Sequence, residues 1–297
     1  VSWMGLLRAS MRGLAVIKIA ILARFLTPAQ FGNYGIALLV LGFLEVLTET
    51  GINVFLIQRK DNIKPYLDSA WVVSIARGVL IAIIILTGSV PVSRFFEAPQ
   101  VIRLLYIVAG IAIVRGFINP MQVTFQKDLL FKKEFLYRGL LYFIDVAFAV
   151  FLGILTKSES SMLISMLISA AFEVILSFIL FKEKPKFGLE KEKVREVLNN
   201  GKWVTGAGIF KYVYPNIDNF TIGKVLGTTS LGYYQQAYSI STLPVTEVGN
   251  IFNKVTLPIY INISSDKERL RKAFTRTLTV IGLLVVPFAV LIIFFSH

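Results

Sequence analysis

Long apolar runs of about 18–25 residues recur along almost the whole chain, and they are the feature that most limits its fold. A helix that rises about 1.5 Å per residue crosses a hydrocarbon layer of about 30 Å in about 20 residues. The composition agrees, because 55% of the residues are hydrophobic and 16% are charged, with a mean hydropathy of +0.70. In lipid the backbone must satisfy its own hydrogen bonds. The sequence therefore predicts an all-α, polytopic transmembrane helix bundle.

The apolar runs predict about nine spans. They cover residues 4–25, 31–57, 68–90, 101–125, 139–155, 162–181, 203–226, 231–261 and 277–295. Several of these spans contain prolines that can kink a helix, as in a transporter whose lobes rock, although prolines also occur in static membrane helices; they are Pro120, Pro215, Pro244, Pro258 and Pro287. Lysine and arginine are concentrated in the loops after the even-numbered spans, which predicts a cytoplasmic N-terminus by the positive-inside rule. We assign the net charge of +13 to these basic loops and expect no nucleic acid as a partner.

The residue types on which many enzymes depend are scarce in this chain. Cysteine is absent, and the one histidine is His297. This excludes disulfides, thiolate metal sites and histidine-based catalytic triads. The loops are short and show neither a P-loop nor a carboxylate pair beside a base. The sequence therefore predicts a protein that is not an enzyme and that has no metal site and no cofactor.

One long polar connection divides the chain. Residues 1–183 form a predicted six-helix transmembrane lobe, residues 184–202 a cytoplasmic linker, and residues 203–297 the first three spans of a second lobe. Leu189, Val194, Val197 and Leu198 share one side of the linker among many charges, which predicts a short amphipathic helix at the cytoplasmic interface. A solvated linker is the alternative.

A short segment recurs two hundred residues further along the chain. The matched positions are Leu26 and Leu226, Gly32 and Gly232, Tyr34 and Tyr234, and Ala37 and Ala237, with Arg24 opposite Lys224. Each copy joins the end of one predicted span to the start of the next, and both copies start on the same side. Such a repeat predicts two pseudo-symmetric lobes related by an axis along the membrane normal. The second lobe is incomplete, so we expect the chain to be a fragment.

Charged residues lie inside the predicted spans. The basic ones are Lys18, Arg24, Arg77, Arg115, Lys211, Lys224 and Lys254, and the acidic ones are Glu45, Glu49, Asp145, Glu173, Asp218 and Glu247. A charge at mid-membrane costs about 3 kcal/mol, so most of these side chains must face the bundle interior or a water-filled cavity. Two interpretations stay open: ion pairs that fix helix packing, such as Arg24 with Glu49, or cations that line a cavity and hold an anion. Glu45 and Glu49 are four residues apart and should share one helix face, where they would pair with cations of the first span or bind a coupling ion.

Three segments resemble those of the polysaccharide-export flippases, in the multidrug/oligosaccharidyl-lipid/polysaccharide exporter superfamily. They are LARFLTPAQFGNY at 22–34, PMQVTFQKDLLFK at 120–132 and DNFTIGKVLG at 218–227. The branch with the strongest resemblance is that of the oligosaccharide flippases of O-antigen, capsule and exopolysaccharide export. The resemblance implies alternating access by two six-helix lobes in a protein of about twelve to fourteen spans. It also implies an undecaprenyl-diphosphate-linked oligosaccharide as substrate and the bacterial inner membrane as location.

In this family a cationic cavity usually holds the diphosphate. Arg24 and Lys224 match motif positions, and the charge argument adds Lys211, with Lys18, Arg77 and Lys254 in support. The second-tier candidates for ion pairing or coupling are Glu45, Glu49 and Asp218. The expected partners are the lipid-linked oligosaccharide and membrane lipids, and further candidates are a polysaccharide polymerase and assembly proteins. The alternative functions are a cation-coupled multidrug exporter of the same superfamily, a membrane glycan polymerase or ligase, and a non-transporting assembly scaffold.

Overall fold

The computed structural model describes residues 2–58, 63–188, 190, 206, 208–242, 260 and 266–294. This part of the chain contains helices and no β-strand, which confirms the all-α prediction. Its α-helices are α1 (Ser2–Leu22), α2 (Pro28–Leu47), α3 (Ile52–Gln58), α4 (Leu67–Phe95), α5 (Val101–Gly116), α6 (Thr124–Lys127), α7 (Phe131–Thr156), α8 (Ser160–Leu180), α9 (Ile217–Val225), α10 (Gly227–Ser241) and α11 (Lys267–Phe294). The chain divides into two compact units, residues 1–233 and 234–297.

Several helices meet the length and hydropathy that a membrane span requires. Within the described ranges, four helices qualify: α2, α4 with the 3₁₀ turn before it, α7 and α8. A fifth candidate is the pair Val101–Gly116 and Pro120–Lys127, which is bent by 78°. The multi-pass prediction is therefore confirmed, whereas the number of about nine spans stays a prediction.

The predicted span 31–57 is wrong as a single helix. The structure ends α2 at Leu47 and begins α3 at Ile52. The Thr48 hydroxyl donates to the Leu44 carbonyl at 2.6 Å, and Gly51 has a φ of 67°, in the left-handed region that ends helices. Because the residues on both sides of this break are apolar, hydropathy alone merges the two helices.

Two predicted kinks coincide with prolines. Pro120 begins a 3₁₀ segment, where Asn119 Oδ1 accepts the backbone N–H of Met121 at 3.0 Å, and this is where α5 and α6 bend apart. Pro215 lies in the 3₁₀ turn between the helical residues 208–213 and α9. A proline removes one backbone donor, which favours a break or bend at these two positions. The kinks at Pro120 and Pro215 are confirmed, whereas α11 continues as a helix through Pro287, and Pro244 and Pro258 lie outside the described residues.

The start of α2 explains part of the first repeat copy. Thr27 caps α2: its backbone N–H donates to Gln30 Oε1 at 2.8 Å, and its hydroxyl accepts the Gln30 N–H at 3.4 Å. This capping box, followed by Pro28 in the first helical turn, fixes where α2 begins. Gln30 Nε2 also donates to the carbonyl of Lys157, at the end of α7, at 3.0 Å. The segment therefore ties the start of α2 to the end of α7.

The core of the first unit is built around α5, which packs against α2, α4 and α8. Val101, Leu105 and Val108 of α5 have no exposed surface. The outer helices instead expose large apolar side chains, such as Ile83 of α4 and Phe151 of α7. Extended apolar faces of this kind suit contact with lipid.

The chain after α8 does not leave the bundle at once. The Lys186 N–H donates to Asp68 Oδ1, at the start of α4, at 2.8 Å, and the Phe187 ring lies 4.8 Å from that of Trp71. Residues 184–188, the beginning of the predicted linker, are thus docked on α4 in a non-helical conformation. Of the predicted amphipathic helix at 189–200, only Glu190 is among the described residues; it is non-helical, and its N–H donates to Ser69 Oγ at 3.2 Å.

The two copies of the repeat contact each other reciprocally. A methyl group added to Gly32 would overlap the Thr228 carbonyl oxygen, and one added to Gly232 would overlap the Pro28 carbonyl oxygen. Pro28 and Thr228 are themselves equivalent positions of the repeat. A two-fold relation makes residue i contact residue j and the equivalent of j contact the equivalent of i. The contact therefore supports the predicted pseudo-symmetry and explains why both positions are glycine.

Candidate functional site

The helices α2, α4 and α5 are joined by two arginines and two glutamates. Arg115 Nη1 lies 2.8 Å from Glu45 Oε1, and Arg77 Nη2 lies 3.4 Å from Glu49 Oε2. Arg77 also donates to the Glu45 backbone carbonyl and, through Nε, to the Thr48 hydroxyl at 3.2 Å. The prediction that Glu45 and Glu49 share one helix face is wrong, because α2 ends at Leu47 and Glu49 lies beyond it. Their basic partners lie on α4 and α5 and not on the first span. Opposite charges that neutralise each other in this way cost less at membrane depth than separate charges.

A second ion pair joins α1 to α7. Lys18 Nζ lies 2.8 Å from Asp145 Oδ2, and the Ser165 hydroxyl of α8 donates to Asp145 Oδ1 at 2.8 Å. The two charged side chains are only 12% and 14% exposed, so this is a buried pair. Lys18 and Arg77 are therefore each paired with an acid, and their expected part in binding an anion stays a prediction.

The Lys18–Asp145 pair borders a cavity of about 360 Å³ between α1, α2, α5, α7 and α8. Its other polar lining residues are Tyr34, Arg115, Arg138, Tyr142, Ser169 and Glu173. A water molecule occupies about 30 Å³ of liquid, so the cavity has room for about ten waters. The cavity is lined by both polar and apolar side chains, and its volume suits water or a small ion better than an oligosaccharide.

Two predicted cations that match in the repeat lie near the ends of their helices. Lys224 Nζ lies 2.9 Å from Glu97 Oε1 and 5.5 Å from the Phe95 ring centroid. The Lys224 and Glu97 side chains are 39% and 78% exposed, and exposed pairs of this kind are weak. Arg24, just after α1, is exposed and has no ion pair with another described residue. The suggested pairing of Arg24 with Glu49 is therefore wrong, because Glu49 pairs with Arg77.

Lys211 lies beside the middle of α2. The hydroxyl of its neighbour Tyr212 donates to the Leu39 carbonyl at 3.0 Å, and the Tyr212 ring packs closely at Gly42. Leu39 and Gly42 are central positions of α2, so Lys211 is at mid-helix depth. Its side chain is exposed, and it forms no ion pair with any part of the chain that the structure describes.

The remaining predicted residues are less informative. Asp218 Oδ1 accepts the backbone N–H of Asn219 at 2.7 Å, at the start of α9. Lys254 lies outside the described residues. Across the ranges that are described, no group of three or more histidine, cysteine or acidic residues is placed to hold a metal ion.

Sequence reasoning missed several partners in these pairs. Glu97 and Glu134 lie outside the predicted spans, although the Glu134 side chain is only 1% exposed and accepts Arg138 Nε at 2.8 Å. Asp145 was visible as an acid within a span, but its cation is 127 residues away in the sequence. A charged residue within an apolar run thus indicates an interior charge, but the sequence around it does not indicate which residue of opposite charge it pairs with.

Apolar helices that enclose paired charges and a polar cavity define a polytopic α-helical membrane protein. The family described as "Polysaccharide biosynthesis protein" matches residues 21–297, so the chain belongs to that family. This confirms the resemblance to the polysaccharide-export proteins that the sequence shows.

Individual relatives agree with the family. The chain is 26% identical over 290 residues to an "Uncharacterized membrane protein in cps region" of Klebsiella pneumoniae, covering 96% of this chain and 59% of the relative. It is 22% identical over 288 residues to the "Lipopolysaccharide biosynthesis protein WzxC" of Escherichia coli (strain K12), covering 96% and 58%. It is 21% identical over 287 residues to the "Succinoglycan biosynthesis transport protein ExoT" of Rhizobium meliloti (strain 1021), covering 97% and 58%. The chain thus spans less than two thirds of the length of these curated relatives, and no solved structure matches it.

Proposed function

We propose that the protein is a flippase that moves an undecaprenyl-diphosphate-linked oligosaccharide across the bacterial inner membrane for surface polysaccharide synthesis. The single observation that carries this proposal is Lys211, a cation at mid-helix depth with no acid partner among the described residues. An ammonium at the centre of a membrane helix costs about 3 kcal/mol. An intramembrane charge without a structural partner is a functional-site hypothesis by default.

A diphosphate is the ligand chemistry that fits these cations. Its oxygens accept charge-assisted hydrogen bonds, and an anion at mid-membrane would offset the cost of the lysine. Arg24 and Lys224 lie near the ends of their helices on the predicted external side. Arg24 has no ion pair with a described residue, and Lys224 is in an exposed pair with Glu97. We propose that Lys211 holds the diphosphate in transit and that Arg24 and Lys224 receive it, while the prenyl chain stays in lipid.

The relatives and the ion pairs support this function over drug export. The names of the Escherichia coli and Rhizobium meliloti relatives concern polysaccharide synthesis, and the second of them includes transport. An exporter of organic cations would need several unneutralised acids, but Glu45, Glu49 and Asp145 each already hold a basic side chain, and among the described acids of the cavity lining only Glu173 does not. We accordingly propose transport without bond chemistry, in a protein whose N-terminus is cytoplasmic.

Export by variants of the full-length protein tests the proposal. A hydrogen bond to a charged group contributes about 1.5–3 kcal/mol, so Lys211→Ala should lower polysaccharide export about 10- to 100-fold. Lys211→Arg should retain part of the export, and Arg24→Ala and Lys224→Ala should each reduce it. Lys272→Ala is the matched control, since Lys272 is 77% exposed and pairs only within its own helix. Wild-type export from Lys211→Ala, Arg24→Ala and Lys224→Ala at normal protein levels would contradict the proposal.

A further inference from the structure

The ion pairs around the cavity leave one acid over. Each of the three cations that line the cavity has an acid within 4.0 Å; the pairs are Lys18 with Asp145, Arg115 with Glu45, and Arg138 with Glu134. Glu173 of α8 also lines the cavity. Its carboxylate forms no ion pair or hydrogen bond with any residue in the described ranges. If Glu173 were ionised, this cluster would carry one uncompensated negative charge.

Basic groups face Glu173 from three of the neighbouring helices, and all of them are already engaged. Lys18 lies on α1, Arg115 on α5 and Arg138 on α7. The other titratable groups around the cavity are Tyr34 of α2 and Tyr142 and Asp145 of α7. The Tyr137 hydroxyl donates to the backbone carbonyl of Glu173, at 3.4 Å, and so leaves the carboxyl group unused.

We propose that Glu173 is a proton-binding site, which is a neutral carboxylic acid in the arrangement described here and releases its proton when water fills the cavity. Glu173 lies about 10 Å along α8 from the end of the helix at Leu180. An uncompensated charge at such a depth costs about 3 kcal/mol, and protonation removes that charge. The reaction is a simple dissociation in which the carboxylic acid becomes a carboxylate and the proton passes to cavity water.

The part of the cavity lining that is nearest to water is the Arg138 side chain. The Arg138 side chain is 45% exposed, whereas its partner Glu134 is 1% exposed. Water that enters beside Arg138 reaches the cavity that Glu173 lines, and hydration stabilises the ionised form. Movement of α7, which carries Arg138, against α8, which carries Glu173, would change the hydration of the cavity and thereby the proton affinity of Glu173. The link between this proton and substrate movement rests on the proposed flippase function.

The charges around Glu173 favour a proton over a metal cation. A sodium ion beside Glu173 would lie in the field of Lys18, Arg115 and Arg138, and like charges repel. A bound proton produces a neutral group and meets no such repulsion. The single unpaired carboxyl group also gives a metal few oxygen ligands.

Proton uptake by the purified full-length protein tests the site without any substrate. After a shift from about pH 8.5 to about pH 5.5, followed with an indicator dye, wild type should take up more protons than Glu173→Gln, because hydrated copies of Glu173 that are ionised at the higher pH regain their proton. The matched control is Glu183→Gln. Hydrogen bonding to Lys64 lowers the pKa of the Glu183 carboxyl, so Glu183 stays ionised across this range and its variant should equal wild type. Equal uptake by wild type and Glu173→Gln would overturn the proposal, as would uptake that requires sodium.

A second variant keeps the proposal testable if Glu173→Gln does not fold. In the infrared spectrum at neutral pH, the band of a protonated carboxyl should shift in Glu173→Asp, and an unchanged band would overturn the assignment. The result is also separable from the proposed transport function. If Lys211→Ala exports polysaccharide at the wild-type level while Glu173 still binds a proton, that result contradicts the proposed flippase function but not the proposed proton site.

Discussion

Removal of one member of the Lys18–Asp145 pair should destabilise the protein strongly, and removal of both should restore most of the loss. The two side chains are 12% and 14% exposed, and their charged atoms are 2.8 Å apart. Asp145→Asn keeps an acceptor for the Ser165 hydroxyl and strands the lysine charge. A buried charge left without its partner costs about 3–5 kcal/mol, whereas replacement of the whole pair by neutral groups is often close to neutral.

The assay is a double-mutant cycle on the full-length protein in one detergent. The free energy of unfolding would be measured for wild type, Lys18→Met, Asp145→Asn and the double variant. We expect the double variant to lose far less stability than the sum of the two single losses, which corresponds to a coupling energy of at least about 3 kcal/mol, the upper end for residues in contact. The matched control is the Lys272–Glu268 pair, whose side chains are 77% and 78% exposed and whose coupling should be about 0.5 kcal/mol or less.

Three outcomes of this cycle decide different questions. Additive losses for Lys18→Met and Asp145→Asn would refute the buried pair. If the double variant is as stable as wild type and exports polysaccharide normally, Lys18 is structural. If it is stable but exports no polysaccharide, the original prediction that Lys18 binds substrate gains support.

Three further predictions concern other contacts. Gly32→Ala should destabilise the protein by about 1–3 kcal/mol in thermal unfolding, because the added methyl group overlaps the Thr228 carbonyl oxygen. Gly139→Ala is the control, since Gly139 has open space around it and the substitution should cost little. Equal destabilisation by both variants would contradict the close helix contact at Gly32. Glu134→Gln should lower stability by about 1–3 kcal/mol, because its buried carboxylate accepts charge-assisted bonds, and an unchanged unfolding temperature would count against this. The Lys64 contact lowers the pKa of Glu183, so any stability that Glu183 adds relative to Glu183→Gln should be present above about pH 4.3, the unfolded value, and be lost as pH falls through the folded value. Thermal unfolding of both proteins from neutral to acid pH measures this, and a difference that grows in acid would contradict the sign.

The helices of the first unit follow closely from the sequence. Apolar runs predicted α4, α7 and α8 to within several residues at most ends, since length and hydropathy determine what can cross a membrane. The same signal failed at 48–51, because the break there is made by Thr48 and by the left-handed conformation of Gly51 and not by polar residues. Local backbone chemistry, which hydropathy does not report, sets such boundaries.

The site was predictable by residue type but not by pairing. An ionised side chain in an apolar run is visible in any sequence, and so Lys18, Glu45 and Asp145 were all recognised as interior charges. Which charges neutralise each other depends on helix packing across long sequence separations, and this is why Arg24 was paired wrongly. The repeat was more informative, because the equivalence of Gly32 and Gly232 anticipated two positions that the structure brings together.

Movement of the lipid-linked substrate in reconstituted vesicles tests the central claim most directly. The full-length protein would be placed in proteoliposomes with a polyprenyl-diphosphate oligosaccharide, and a lectin outside the vesicles would report newly exposed sugar. We predict faster exposure than in protein-free vesicles, and a rate for Lys211→Ala that is about 10- to 100-fold lower. Exposure no faster than in protein-free vesicles, or an undiminished rate for Lys211→Ala, would contradict transport through a cationic interior.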